Sequence, residues 1–441
     1  MRGLPIGITS PAFRLEGHGA GLPRQGAPLQ TIGWDTTLAN ETSEYCWRYW
    51  SSMRHESSTR IPELDGMRGV AIGLILLYHY FLLPVSPHVG SVLWYFRICG
   101  RLAWTGVDLF FVLSGFLIGG ILLDARESSN YFQVFYRRRF WRIVPLYAVC
   151  LFLILVLTKS IVRLMIPRSQ WPDLLGRLPW YAYALFVQNF WMAKQNSLGP
   201  FGLAVTWSLA IEEQFYLTLP LVIRFFEKQR RTLLISIGVI LAPVLRMLSF
   251  HYWPANQWAT FVLMPCRADA LLLGVLGATM LRSDKYKRWL EQNGRPLRLS
   301  LICLLLGAAV LNYFYTDMHS SLMISVGYTW MACLYLGVLL YAVIHRQSWL
   351  SICLQWSWLG GLGTIAYAVY LFHSFFLAAF NLLFWSSPMA TMDTMSRLAT
   401  TISALVTTLI FCHLSWRYFE KPLIDLGHRT RYFFDSTDST Q

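Results

Sequence analysis

Ten stretches of this 441-residue chain are apolar for about the length a helix needs to cross ~30 Å of hydrocarbon, and this pattern restricts the fold more than any other feature. They lie near 68–84, 101–123, 142–160, 204–224, 232–250, 259–281, 299–315, 320–343, 356–384 and 397–417. In lipid a spanning segment must satisfy its own backbone hydrogen bonds, so stretches of this length are read as helices. The predicted fold class is all-α: a polytopic membrane helix bundle of about ten transmembrane helices. Composition agrees, with 14% of residues charged where soluble domains carry about 25%. The segment 178–192 is short and aromatic and reads as an interfacial or re-entrant helix rather than a span.

The connections set the expected orientation. With the first span entered from the cytoplasm, the inner segments hold 23 Lys/Arg against 8 in the outer ones, which favours both termini inside. The net charge of +14 is accounted for in the same way and does not point to nucleic acid. Residues 1–53 are polar, contain Pro and Gly, and lack both helical periodicity and a signal-peptide h-region. They read either as a disordered cytoplasmic extension or as sequence upstream of a translation start at Met53. Residues 54–425 form the transmembrane domain and 426–441 a short cytoplasmic tail. The eight Cys are scattered without a CxxC or Cys/His cluster, so neither a metal site nor a disulfide framework is indicated.

Several ionisable residues fall inside the spans, where such groups pair or line a watery cavity. His79 lies roughly 16 Å along the first span from Arg68. Asp108 and Ser114 fall in the second span, Glu212 and Glu213 in the fourth, Arg246 in the fifth, Arg267 and Asp269 in the sixth, and His373 in the ninth. Helical rise puts His79, Asp108, Glu212 or Glu213, Arg246, Arg267, Asp269 and His373 in the outer half of the bilayer, and they are expected to converge on one buried polar site. A salt bridge between Arg267 and a glutamate of the fourth span is the structural alternative. The two glutamates diverge by about 100° around their helix, so only one faces His79. That one would orient the imidazole as a general base. At the inner face Arg139 and Arg142, three residues apart, share a helical side. With Arg68 they form a cluster suited to phosphate, although lipid anchoring is the plainer reading of such arginines.

The chain resembles the acyltransferase-3 family of bacterial membrane O-acyltransferases. The resemblance rests on Leu64-Asp-Gly-Met-Arg68 with His79, on Gly106-Val-Asp108-Leu-Phe-Phe-Val-Leu-Ser114-Gly-Phe-Leu-Ile, on Arg138-Arg139-Phe-Trp-Arg142-Ile-Val-Pro145, on Trp207-Ser-Leu-Ala-Ile-Glu212-Glu213-Gln-Phe-Tyr216 and on Tyr367-Ala-Val-Tyr370-Leu-Phe-His373. These pieces occur in the family order and cover about residues 60–425. The resemblance implies transfer of an acyl group, usually acetyl from acetyl-CoA, to a hydroxyl of an extracytoplasmic or lipid-linked glycan at the bacterial inner membrane. It assigns Arg68 and His79 to an essential Arg-x10-His motif, and Arg138, Arg139 and Arg142 to the donor side. Many relatives carry a further hydrolase-like domain, and this chain resembles the stand-alone members. The expected mechanism docks acyl-CoA phosphates on Arg68, Arg139 and Arg142, with His79 deprotonating the acceptor or itself becoming acylated. Arg246 or Arg267 would stabilise the oxyanion, with Asp108, Ser114, Asp269 and His373 as further substrate contacts. The outer aromatic segment 171–192 would stack on sugar rings. The competing class is a transporter or flippase of a lipid-linked sugar or small polar solute, which also places polar groups at membrane depth.

Overall fold

The computed structural model describes residues 61–165, 179–314, 317–389 and 391–434. The extension 1–53, the first part of the aromatic segment 171–192 and the end of the tail lie outside the described residues. Ten helices follow the ten apolar stretches: α1 (Pro62–Leu76), α2 (Gly106–Asp124), α3 (Tyr131–Met165), α4 (Thr206–Phe225), α5 (Lys228–Tyr252), α6 (Met264–Leu281), α7 (Gly294–Phe314), α8 (Tyr328–Ile344), α9 (Ala366–Trp385) and α10 (Met395–Ser415). Among the described residues eight segments are long and apolar enough to cross a membrane. α1 and α4 are the two that do not meet that measure. α1 carries Glu63, Asp65 and Arg68, and α4 carries Glu212, Glu213 and Arg224. Each of these two helices thus carries three ionisable residues, while the arginine run lies on α3, which does meet the measure.

Boundaries depart from the sequence expectation where backbone chemistry intervenes. Helix α3 starts at Tyr131 instead of near 142, so the arginine run lies within the helix. The ninth stretch is broken between Ser357–Thr364 and α9, and the first of these pieces contains Gly360, Gly361 and Gly363. The short aromatic segment forms two small helices, Trp180–Ala184 and Gln188–Gln195, as suits a piece too short to span. Most consequentially, α1 runs into a π-helical turn, Leu77–Leu82, which contains His79.

Helices α2 and α6 are the most buried, whereas α5 and α7 present Leu233, Ile237, Ile240, Leu299, Leu305 and Leu306 outward as a lipid-facing surface would. Helices in membranes approach closely through small residues. A Cβ at Gly115 of α2 would lie 1.8 Å from the Leu271 carbonyl oxygen of α6. The same logic fixes α1, where a Cβ at Gly66 would lie 1.8 Å from the Leu354 oxygen.

Hydrogen bonds define the two ends of the bundle. At one end Arg126 binds the Ile223 carbonyl, Arg282 binds Asp124, and Ser351 and Gln355 bind Glu63. This is the basic end. At the other, Asn256 binds the Ala193 carbonyl, Asn312 that of Ile98, and the Met392 amide that of Pro84.

Candidate active site

His79 sits in the π turn of α1, a geometry that recurs at functional positions because it redirects side chains locally. The turn is marked by the Leu83 amide bonding the Tyr78 carbonyl at 2.8 Å. The His79 Nδ1 lies 3.0 Å from the Ile75 carbonyl oxygen. A carbonyl only accepts, so Nδ1 carries the proton and Nε2 keeps its lone pair. No hydrogen bond reaches Nε2 among the described residues, and the ring is half-buried.

The neighbour of His79 is a second imidazole. His373 of α9 is fully buried, with ring centroids 4.8 Å apart. Its Nδ1 donates to the Tyr370 and Val369 carbonyls at 2.8 and 3.1 Å, and the Ser374 hydroxyl lies 3.1 Å from its Nε2. Tyr80 donates to the His373 carbonyl at 2.9 Å, which ties the backbone of α9 to the π turn. The Tyr370 ring stands 6.0 Å from His373. Its hydroxyl donates to the Val205 carbonyl and meets the Ser208 hydroxyl.

Four residues further along α4 comes Glu212, and four further Tyr216, so Ser208, Glu212 and Tyr216 line one side of that helix. Tyr216 donates to Glu212 Oε2 at 3.1 Å and meets the Ser114 hydroxyl of α2 at 2.5 Å. The positive charges of Arg139, Arg142 and Arg68 act on Glu212, and that of Arg139 acts on Glu213. Arg68 is paired with Asp65 one helical turn away at 2.8 Å. Glu213 Oε1 and Arg139 Nε are buried without a hydrogen-bond partner. Polar groups therefore run from Arg68, Arg139 and Arg142 through Glu212, Tyr216 and Ser114, then Ser208 and Tyr370, to His373 and His79.

This arrangement corrects three expectations. Neither glutamate orients His79: among the described residues the imidazole is held by the Ile75 carbonyl and His373, while Glu212 is held by Tyr216 within reach of the arginines. The reason is geometric, since α4 runs antiparallel to α1 and its Ser208, one turn from Glu212, is what reaches the His373 neighbourhood through Tyr370. Second, Asp108, Arg246, Arg267 and Asp269 do not join the histidines. They form interhelical ion pairs among α2, α5 and α6. Arg267 meets Asp108 at 2.6 Å, not a glutamate of α4, and its guanidinium lies 4.0 Å from the centre of the Tyr328 ring. Arg246 meets Asp269 at 2.9 Å and also bonds the Cys266 and Ile324 carbonyls and Thr329. All three guanidinium nitrogens of Arg246 are thus engaged, which leaves it no role as an oxyanion donor. Similar depth in the chain did not mean one site, because α2, although it packs on α1 at Gly106, turns Asp108 to Arg267 of α6. Third, Arg138 is in part engaged by the C-terminal segment, although its charge acts on His428 together with those of Arg139 and Arg142. It donates to the Thr430 carbonyl at 2.8 Å and lies over the Tyr432 ring, holding the C-terminal segment.

Tyr80, Ser208, Tyr216 and Tyr370 were given no role by sequence reasoning. The signal was available for three of them, in the four-residue spacing Ser208–Glu212–Tyr216 and in Tyr370 one turn before His373. Among the described residues no group of three or more His, Cys, Asp or Glu is placed to hold a metal ion.

Comparison with known proteins agrees with the motifs. The model of an acyltransferase domain, the acyltransferase-3 family, matches residues 61–417, and the chain belongs to that family. It is 28% identical over 383 residues to the peptidoglycan O-acetyltransferase OatA of Listeria monocytogenes, covering 82% of this chain and 56% of that protein. It is 30% identical over 230 residues to the O-acetyltransferase OatA of Staphylococcus aureus, covering 49% of this chain and 34% of the other. A protein of Bacillus subtilis, YrhL, is 27% identical over 387 residues, covering 84% of this chain and 56% of its own length. The chain thus spans about half the length of the curated relatives it matches. No solved structure matches it.

Proposed function

We propose that this chain is an O-acetyltransferase of the bacterial inner membrane. It moves an acyl group, acetyl in the first instance, from acyl-CoA at the basic end to a hydroxyl of an extracytoplasmic or lipid-linked glycan at the opposite end. The observation that carries this reading is the set of polar groups between the arginine cluster and the paired histidines: Glu212, Tyr216 and Ser114 joined by hydrogen bonds, Ser208 joined to Tyr370, and the Tyr370 ring beside His373 and His79. The distribution of Lys and Arg supports the basic end as cytoplasmic, with both termini on that side. The relatives' names support O-acetylation of a cell-envelope glycan such as peptidoglycan.

In this mechanism Arg139, Arg142 and Arg68 bind the phosphates of the donor through charge-assisted hydrogen bonds. Arg139 is suited to it by a nitrogen that no group among the described residues satisfies. Glu212, fixed by Tyr216 and Ser114, keeps the guanidiniums from dispersing; Glu213 does the same for Arg139. These glutamates are positioning residues. Nε2 of His79 takes the proton of the acceptor hydroxyl as its oxygen bonds the acyl carbon and the carbon–sulfur bond breaks, the electron pair leaving on the CoA thiolate. The Ile75 carbonyl holds His79 in the tautomer that presents Nε2, and the His373 ring packs against it. Asp108, Arg246, Arg267 and Asp269 hold the helices in place.

The test is acyl-CoA turnover by purified protein in nanodiscs with cell-envelope glycan as acceptor, for wild type, His79→Ala and Arg139→Ala/Arg142→Ala. Turnover lost in both variants at unchanged abundance is the expected result. Retained transfer in His79→Ala refutes the base assignment. A wild type that moves a sugar without acyl transfer is a transporter instead.

A further inference from the structure

At the end opposite the basic one, next to the histidine pair, lies a cavity of about 380 Å³. That volume falls within the ~300–1,000 Å³ typical of small-molecule sites. Its walls come from the π turn, the helix Val92–Cys99, the turn Arg101–Thr105 and the loop at Asp317. Three rings line it, Tyr78, Trp94 and Trp104, with three charged side chains, Arg97, Arg101 and Asp317. Tyr78 precedes His79, and the two rings are 5.1 Å apart. The charges of Arg97 and Asp317 both act on the Tyr78 phenol, so the charged and aromatic walls face one space.

Two features distinguish this cavity from surface relief. Neither Arg97 nor Arg101 has an ion-pair or hydrogen-bond partner for its side chain among the described residues, although both stand on one cavity, on either side of Gly100. They also lie at the end of the bundle where Lys and Arg are scarce, so the positive-inside bias does not account for them. Trp104 is 5% exposed and its indole N–H has no acceptor among the described residues. Two arginines against one aspartate leave the cavity net positive, and guanidinium recognises carboxylate or phosphate bidentately. Flat rings beside polar groups suit a ligand with one apolar face and a polar edge.

We propose that this cavity is the acceptor subsite and that it selects a saccharide bearing an anionic group. Arg97 and Arg101 hold the carboxylate or phosphate, Trp94 and Tyr78 pack on the ring, and the sugar is thereby held beside His79. This rests on the reading of the chain as a glycan O-acyltransferase and adds to it the charge class of the acceptor.

The experiment measures quenching of tryptophan fluorescence in phosphatidylcholine nanodiscs, with hyaluronan tetrasaccharide as the carboxylated probe, N-acetylglucosamine 1-phosphate as the phosphorylated one and chitotetraose as the neutral one. Wild type is expected to bind at least one anionic probe about tenfold more tightly than chitotetraose. Arg97→Gln/Arg101→Gln is expected to remove that preference, and Trp94→Leu to weaken all probes alike. CoA binding and the thermal midpoint, both expected unchanged in these variants, report that the bundle is intact. If Arg97→Gln/Arg101→Gln misfolds, Arg97→Lys/Arg101→Lys serves in its place, expected to bind the anionic probe more weakly than wild type. Equal binding of anionic and neutral probes by wild type, or a preference that survives loss of both arginines, overturns the proposal. So does a response of the arginines confined to phosphatidylglycerol nanodiscs with no sugar bound, which would make them lipid anchors. Thioester turnover by the same wild-type preparation separates the two levels: turnover without anion preference refutes only the acceptor subsite, and anion preference without turnover refutes only the transferase reading.

Discussion

Removing the carboxylate of Asp108 should destabilise this bundle more than removing that of Asp269, although both belong to buried Arg–Asp pairs. The difference lies in what each arginine keeps. Arg267 has one hydrogen bond among the described residues, from Nη2 to Asp108, while its Nε and Nη1 are buried without partners. In Asp108→Asn it loses the opposite charge and keeps only a neutral amide oxygen as acceptor, and the faces of Tyr328, Phe261, Phe111 and Trp207 already surround it in the wild type and add nothing new. Leaving a buried charge uncompensated costs about 3–5 kcal/mol. Arg246 in Asp269→Asn retains the Cys266 and Ile324 carbonyls and Thr329. Its loss is nearer that of one charge-assisted hydrogen bond, about 1.5–3 kcal/mol. Thermal midpoints in detergent, followed by tryptophan fluorescence, should rank wild type above Asp269→Asn and that above Asp108→Asn. The double substitution Asp108→Leu/Arg267→Met removes the charge with its partner and should recover most of the loss. Equal or reversed midpoints for the two single variants, or no recovery in the double one, would refute this account.

Packing, donor binding and the tyrosine link give further tests. Gly115→Val should abolish accumulation of folded protein in the membrane, because its Cβ would meet the Leu271 carbonyl oxygen at 1.8 Å, whereas Gly360→Ala, with open space around it, should accumulate as wild type; size-exclusion profiles after detergent extraction decide. Arg142→Gln should raise the donor KM several-fold, while Arg138→Gln should leave it near wild type and instead speed amide exchange at 430–434, where Arg138 holds the chain. Tyr216→Phe removes the hydroxyl between Glu212 and Ser114 and should lower kcat/KM for the donor by about fivefold, the worth of one hydrogen bond near 1 kcal/mol; Ser208→Ala, which touches Tyr370 instead, should leave the donor KM unchanged.

The helical pattern was legible because lipid restricts backbone structure so severely: each of the ten apolar stretches contains a long helix, the ninth after a break, and eight segments among the described residues meet the measure for spanning. Motif residues were also legible as a set, since an arginine or glutamate in such a helix is conspicuous. Which charged groups meet was not. Helical rise orders residues along an axis, but partners are chosen by rotation about the axis and by which helices are neighbours. Asp108 and His79 share an approximate depth, yet α2 turns Asp108 to Arg267 of α6 while the π turn sets His79 beside His373 of α9. The π turn has no strong signature in Leu77-Tyr-His-Tyr-Phe-Leu82; it is a product of packing. The same holds for Arg138 and Arg139, adjacent in sequence and facing different partners because successive residues diverge by about 100°.

The proposed chemistry places a further demand on α1. Arg68 and His79 lie on one continuous rod, about 16 Å apart by helical rise. In the proposed reaction the first meets the charged end of the donor and the second the reacting hydroxyl, so α1 fixes how far the donor's flexible arm must reach. Such a ruler works only if the helix cannot slide. Gly66 and Gly69 bring it against Leu354 and Leu359, Gly363 packs on the Asp65 backbone, and Gly106 packs on that of Ala71, so no side chain intervenes at any of these approaches. Tyr80 then pins the far end to the His373 carbonyl. On that proposal the glycines beside Arg68 and the tyrosine beside His79 hold the separation of the two constant.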